Sequence, residues 1–126
     1  MTDYLDSKLT AFEQALKTFK EALLDNPSEL ERDGAIQRFE YCFDLAWKTL
    51  KRHLEKRGFL DLNSPRSVFT AAFTDGIIEN EDIWSTIILR RNASVHTYNQ
   101  KLAETLFSEL PVYYDAMYLL LQRLKG

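Results

Sequence analysis

Apolar side chains return every three or four residues over long stretches, and this constrains the chain more than any other feature. Leu5, Leu9, Phe12, Leu16, Phe19 and Leu23 recur at steps of four, three, four, three and four. That spacing lays one apolar stripe along a helix of 3.6 residues per turn, whereas in a strand it would scatter the same residues over both faces. Ile36, Phe39, Phe43, Trp47, Leu50 and Leu54 repeat the pattern, and so do Leu102, Leu106, Leu110, Tyr113, Met117, Leu120 and Leu124. Four Gly and three Pro among 126 residues are too few for the many tight turns of an all-β chain.

Local signals divide these stripes into helices. The first runs from about Thr2 to Leu24, where Asp25-Asn26-Pro27 ends it. Ser28 and Glu31 have the spacing of a capping box and open a second helix of roughly 30 residues, closed at Gly58. Gly34 marks a candidate bend near its start. Ser64-Pro65 opens a short helix that Gly76 terminates, and Asn80 caps a fourth helix that finishes between Arg91 and Thr97. Asn99 caps the last one. Pro111 lies inside it with the stripe in phase on both sides, which predicts one kinked helix rather than two. The expected architecture is all-α: an up-and-down four-helix bundle with one additional short helix, forming a single domain over residues 1–126.

Composition then removes functional classes. No run approaches the ~18 apolar residues of a membrane span, and the early acids Asp3 and Asp6 do not suit a secretory signal. A single cysteine, Cys42, provides neither an internal disulfide nor a Cys-based metal site, so a reduced, cytoplasmic setting is expected. Cys42, Trp47 and Trp84 read as core residues. A net charge of −3 offers no global attraction to nucleic acid, so any such contact needs a local patch. The strongest basic run is Lys48, Lys51, Arg52, His53, Lys56 and Arg57. It can hold phosphate, but complementing the end of its helix from an exposed face explains it more simply. Glu40 and Asp44, four apart, could ligate a metal. A solvated face fits them better, because Lys48 and Lys51 continue the stripe as favourable pairs. No metal or cofactor is expected, and no phosphate-binding glycine loop or nucleophile elbow is present.

One segment concentrates chemistry: Arg91-Asn92-Ala93-Ser94-Val95-His96-Thr97-Tyr98. Arginine brings a permanent planar charge suited to phosphate, and histidine exchanges a proton near neutral pH. Together they suffice to cleave RNA without a metal, one activating or protonating an oxygen and the other offsetting charge on phosphorus. Five residues along a continuous helix leave the two side chains roughly 140° apart. They converge only if the helix ends between them or if a second subunit contributes its copy. Asn92, Thr97 and Asn99 favour such an ending. Chance supplies Arg-x4-His in about one such chain in eight, and the added tyrosine lowers that to roughly one in 150.

The segment matches the R-x4-H-x-Y signature of HepT-type proteins in the HEPN superfamily, and it resembles the related nucleotidyltransferase substrate-binding proteins. The stretch Phe39-Glu40-Tyr41-Cys42-Phe43-Asp44-Leu45-Ala46-Trp47-Lys48-Thr49-Leu50-Lys51 resembles the second of these groups, as does Trp84 placed seven residues before Arg91. The resemblance covers essentially the whole chain. It implies a homodimer in which two copies of the motif share a cleft, and a minimal nucleotidyltransferase as partner. In the toxin–antitoxin pairs of this type, the helical member is a metal-independent RNA endonuclease, silenced by AMP transfer to the motif tyrosine. By that resemblance Arg91 and His96 are the catalytic pair, Asn92 orients the cleft, Tyr98 accepts AMP and RNA is the substrate. The alternative is a non-catalytic subunit that presents a nucleotide or other substrate to a separate transferase. The chain itself lacks the G-S…D-x-D arrangement of such a transferase.

Overall fold

The computed structural model describes residues 4–126, with side chains from residue 7 onward. Five α-helices succeed one another: α1 (Tyr4–Glu21), α2 (Glu29–Lys56), α3 (Pro65–Asp75), α4 (Glu81–Ala93) and α5 (Gln100–Lys125). The all-α class and the additional short helix are as the stripes predict. The first turn expected from Thr2 falls partly outside the described residues.

The caps show why these elements begin where they do. Ser28 Oγ accepts from the Glu31 amide at 3.1 Å, and the Glu31 carboxylate accepts from the Ser28 amide at 2.9 Å. Ser64, Asn80 and Asn99 each accept from the amide three residues ahead. Every cap satisfies a donor that a helix start would otherwise leave open. Gly76 closes α3 at φ +92°, a left-handed conformation that favours glycine. Gly58 adopts φ +95° just beyond the end of α2.

One boundary differs from expectation. Helix α1 stops at Glu21 rather than Leu24, because the Ala22 and Leu23 amides turn to the carbonyls of Phe19 and Lys20, three residues back, at 3.1 Å each. That tightened turn releases the chain before Asp25-Asn26-Pro27 is reached. Helix α2 passes through Gly34 as one element, and α5 passes through Pro111 as one helix, as the in-phase stripe predicts.

Helices α1, α2 and α5 enclose the main core, in which Phe12, Phe19, Phe39, Leu50, Leu106 and Met117 are all buried. Phe39 sits between Phe19, at 6.3 Å between ring centroids, and Tyr113, at 5.7 Å. Each such ring removes enough apolar surface from water to stabilise the fold by roughly 1.5–3 kcal/mol. A second aromatic stack runs from α2 through α3 to α4. Phe69 packs against Phe43 at 6.0 Å and lies nearly parallel to Trp84 at 4.3 Å. Helix α3 is thereby a spacer that fixes the distance at which α4 rides over α2. Cys42 and Trp84 are buried as expected, and Trp47 is half-buried. No described helix is long and apolar enough to cross a membrane.

Candidate functional site

Helix α4 ends at Ala93, and the chain tightens into a single 3-10 turn, Ser94–His96, before Asn99 opens α5. The Thr97 hydroxyl donates to the Ser94 carbonyl at 3.0 Å, and the Asn99 amide donates to the His96 carbonyl at 3.0 Å. The helix therefore does end between Arg91 and His96. Side-chain and backbone hydrogen bonds of Ser, Thr and Asn compete there with helix continuation.

This corner divides the motif into two groups. Arg91 turns inward to α2. Its Nη1 donates to Glu40 at 3.3 Å and to Ser94 Oγ at 3.4 Å, and its Nη2 donates to Asp44 at 3.4 Å. Ser94, itself buried, donates its hydroxyl to the same Glu40 carboxylate. Arg91 Nε is buried without a hydrogen-bond partner among the described residues. Glu40 and Asp44 therefore pair across the helices with Arg91, which corrects the expectation of a solvated face pairing along α2 with Lys48 and Lys51. Both carboxylates lie within reach of one guanidinium, so the cluster carries an excess negative charge rather than an open positive one.

His96 turns outward. Its Nδ1 lies 3.1 Å from the Tyr98 hydroxyl, and the two rings meet edge to face with centroids 5.7 Å apart. Tyr98 is 84% exposed. No hydrogen bond among the described residues joins Arg91 to His96. Asn92, in the last turn of α4, is exposed and makes no described side-chain hydrogen bond to either group. The pairing His96–Tyr98 places an imidazole nitrogen against a phenolic hydroxyl at hydrogen-bond distance, and the imidazole tautomer decides which of the two donates.

The sequence singled out Arg91, His96 and Tyr98 but missed the residues that orient Arg91. Ser94 was visible only as part of the motif, and Glu40 and Asp44 were read as a carboxylate pair on α2 with no link to Arg91. Arg90 was also missed. Its guanidinium forks onto Glu109 of α5 at 2.6 and 3.3 Å, and the Tyr113 hydroxyl adds a bond to the same carboxylate at 2.9 Å. The Arg90 hydrogen bonds hold the Glu109 carboxyl below its usual range, against the opposing effect of partial burial. Burial raises the Tyr113 hydroxyl, and the adjacent Glu109 adds to that rise. Two successive arginines thus clamp the end of α4, one to α2 and the other to α5.

An all-helical chain with an R-x4-H-x-Y corner at the α4–α5 junction defines a recognisable class. The chain belongs to the family described as nucleotidyltransferase substrate binding protein like, whose model matches residues 7–126. A curated relative from Haemophilus influenzae, named probable ribonuclease HepT, is 26% identical over 96 residues, which are 73% of this chain and 66% of that protein. A crystal structure from Thermus thermophilus superposes with a TM-score of 0.86 at 42% identity, covering 91% of this chain and 99% of that one. The fold also matches HI0074 from Haemophilus influenzae, whose structure is described as the fold of a substrate binding domain of a nucleotidyltransferase. There the TM-score is 0.71 at 24% identity, over 97% of each chain.

Proposed function

We propose that this protein is a metal-independent RNA endonuclease that works as a homodimer beside a minimal nucleotidyltransferase, which silences it by transferring AMP to Tyr98. The observation that carries this reading is the exposed His96–Tyr98 pair. Its imidazole is accessible to a substrate, and its partner hydroxyl is the group that modification would consume.

In cleavage, a ribose 2′-oxygen attacks the adjacent phosphorus and the bond to the 5′-oxygen breaks, leaving a 2′,3′-cyclic phosphate and a free 5′-hydroxyl. His96 takes the 2′ proton, and its counterpart in the second subunit returns one to the leaving oxygen. Arg91 offsets charge on the phosphorane. Asp44 is the more exposed of its two carboxylate partners, with 42% of its side chain accessible against 26% for Glu40. Asp44 is therefore the partner that a phosphate oxygen displaces, while Glu40 and Ser94 keep the guanidinium in place. Asn92 orients the strand at the rim. Leu89 and Val95 flank the corner with 58% and 64% of their surfaces exposed, and they supply apolar area for the second subunit.

Silencing uses the same geometry. The Tyr98 oxygen attacks the α-phosphorus of ATP held by the transferase, pyrophosphate leaves, and His96 accepts the phenolic proton. The nucleotide then sits on the hydroxyl that faces His96, covering the imidazole with bulk and negative charge.

A second reading is favoured by the carboxylates around Arg91 and by the family description: a non-catalytic subunit that presents substrate to the transferase. One experiment separates the two. Purified protein, shown by mass to be free of AMP, is incubated with single-stranded RNA in EDTA, wild type beside His96→Ala. Cleavage by wild type alone, with cyclic phosphate ends, supports the nuclease. Intact RNA with both proteins, each folded and dimeric, leaves the substrate-presenting subunit.

A further inference from the structure

The basic run of α2 separates into two parts. Its last turn is engaged: Arg57 bonds to Asp75 of α3 at 2.6 Å, and Arg52 reaches Glu55 at 3.4 Å. Lys48 and Lys51 make no ion pair among the described residues. With Trp47, Arg52 and Glu55 they line a surface hollow of about 290 Å³. The half-buried indole of Trp47 forms part of its wall.

Helical geometry connects this hollow to the motif. At about 100° per residue, Glu40, Asp44, Trp47, Lys48 and Lys51 fall within one arc of roughly 100° on α2. Glu40 and Asp44 hold Arg91, so the hollow begins one turn further along the same stripe, about 6 Å along the axis from Asp44 to Lys48. A negatively charged chain has here a local cluster of cations beside an accessible ring, adjoining the group proposed to meet the scissile phosphate. Rings that accept a base face, combined with lysines along a backbone, are the components of single-strand binding.

We infer that the Trp47–Lys48–Lys51 hollow is a subsite for single-stranded RNA. It stacks a base flanking the cleaved linkage on Trp47 and engages the adjoining phosphates with Lys48 and Lys51. The inference rests on the RNA reading above and extends it to a second contact away from the reacting atoms.

The chain has two tryptophans, and Trp84 is buried in a stack with Phe69, so accessible indole emission belongs to Trp47. The probe is a short 2′-O-methyl oligoribonucleotide, which lacks the attacking hydroxyl and stays intact whatever the enzyme does. Its addition quenches Trp47 emission. Trp47→Ala weakens binding about tenfold. Lys48→Gln/Lys51→Gln lowers the slope of log affinity against log salt by about 1.4, whereas Lys17→Gln/Lys20→Gln, the same loss of charge on α1, leaves it unchanged. Circular dichroism confirms that each variant is folded.

Unquenched emission with bound probe, or equal slopes for the two lysine pairs, overturns the subsite. So does quenching by anionic phospholipid vesicles but not by RNA. Cleavage of unmodified RNA is scored separately on the same proteins. Quenching and the slope change without cleavage keep the subsite and remove the nuclease reading. Cleavage without quenching does the reverse.

Discussion

The body of the molecule and its motif corner are held by different forces. Between α1, α2 and α5 the buried core is apolar, with Phe39 enclosed by Phe19 and Tyr113, and polar contacts such as Lys125–Glu13 lie at its edge. At the end of α4 they are charged: Arg91 on Glu40 and Asp44, and Arg90 on Glu109. Apolar packing is insensitive to direction and stabilises in proportion to buried area. Forked ion pairs of partly exposed groups stabilise less, but they fix orientation. The body thus supplies most of the stability, and the corner sets where His96 and Tyr98 point.

Stability measurements on variants can break or sharpen this contrast. The largest loss is expected from Phe39→Ala, about 3–5 kcal/mol by denaturant unfolding, because a buried ring leaves a cavity. If the loss is under about 1 kcal/mol, the body is not the stabilising half. Glu40→Ala removes the charged acceptor that Arg91 and Ser94 share, leaving Arg91 on Asp44 and Ser94 on the Arg91 carbonyl, and is expected to cost about 1–3 kcal/mol. An effect as large as that of Phe39→Ala would erase the distinction between the two regions.

A smaller effect, under about 1 kcal/mol at neutral pH, is expected from Glu109→Gln. Its sign in acid is more informative. The folded-state value of Glu109 lies below the ordinary 4.5, chiefly through its hydrogen bonds to Arg90. Its contribution is fully present above the ordinary value and is lost as pH falls through the lower folded one. Wild type should lose stability in that acid window relative to Glu109→Gln, with no difference in slope near neutrality. Thermal melts across the range test this. The smallest change is expected from His96→Ala, within about 0.5 kcal/mol because the side chain is exposed. Cleavage should nevertheless fall by about 10²–10⁴-fold. A large stability loss there would make His96 a structural residue.

The helices were legible because periodicity and capping act within a few residues of sequence. Ser28, Ser64, Asn80 and Asn99 declare themselves by the residues that come after them, and each caps as read. The end of α1 was misplaced because a tightened turn at Ala22 leaves no strong residue signature. The corner was half legible. An ending between Arg91 and His96 could be inferred from poor helix formers, but the partners of Arg91 could not. A stripe on one helix orders residues around that helix alone, and it assigns Asp44 to Lys48 as readily as to another element. Only the packing of α4 over α2, set by the Phe43–Phe69–Trp84 stack, brings Arg91 to Glu40 and Asp44.

Pro111 gives α5 a property that its unbroken outline conceals. Proline has no amide proton, so the helical bond to the Phe107 carbonyl is absent and one rung of the ladder is missing. Before Pro111 lie the Asn99 cap and Glu109, which serve the corner, together with the core residues Leu106 and Leu110; after it lie Tyr113, Met117 and Leu120, which serve the body. In amide exchange the two halves should open as separate units, the first at lower free energy than the second. The motif corner can then breathe, or be reshaped by a partner, without unzipping the half of α5 that carries Tyr113, Met117 and Leu120.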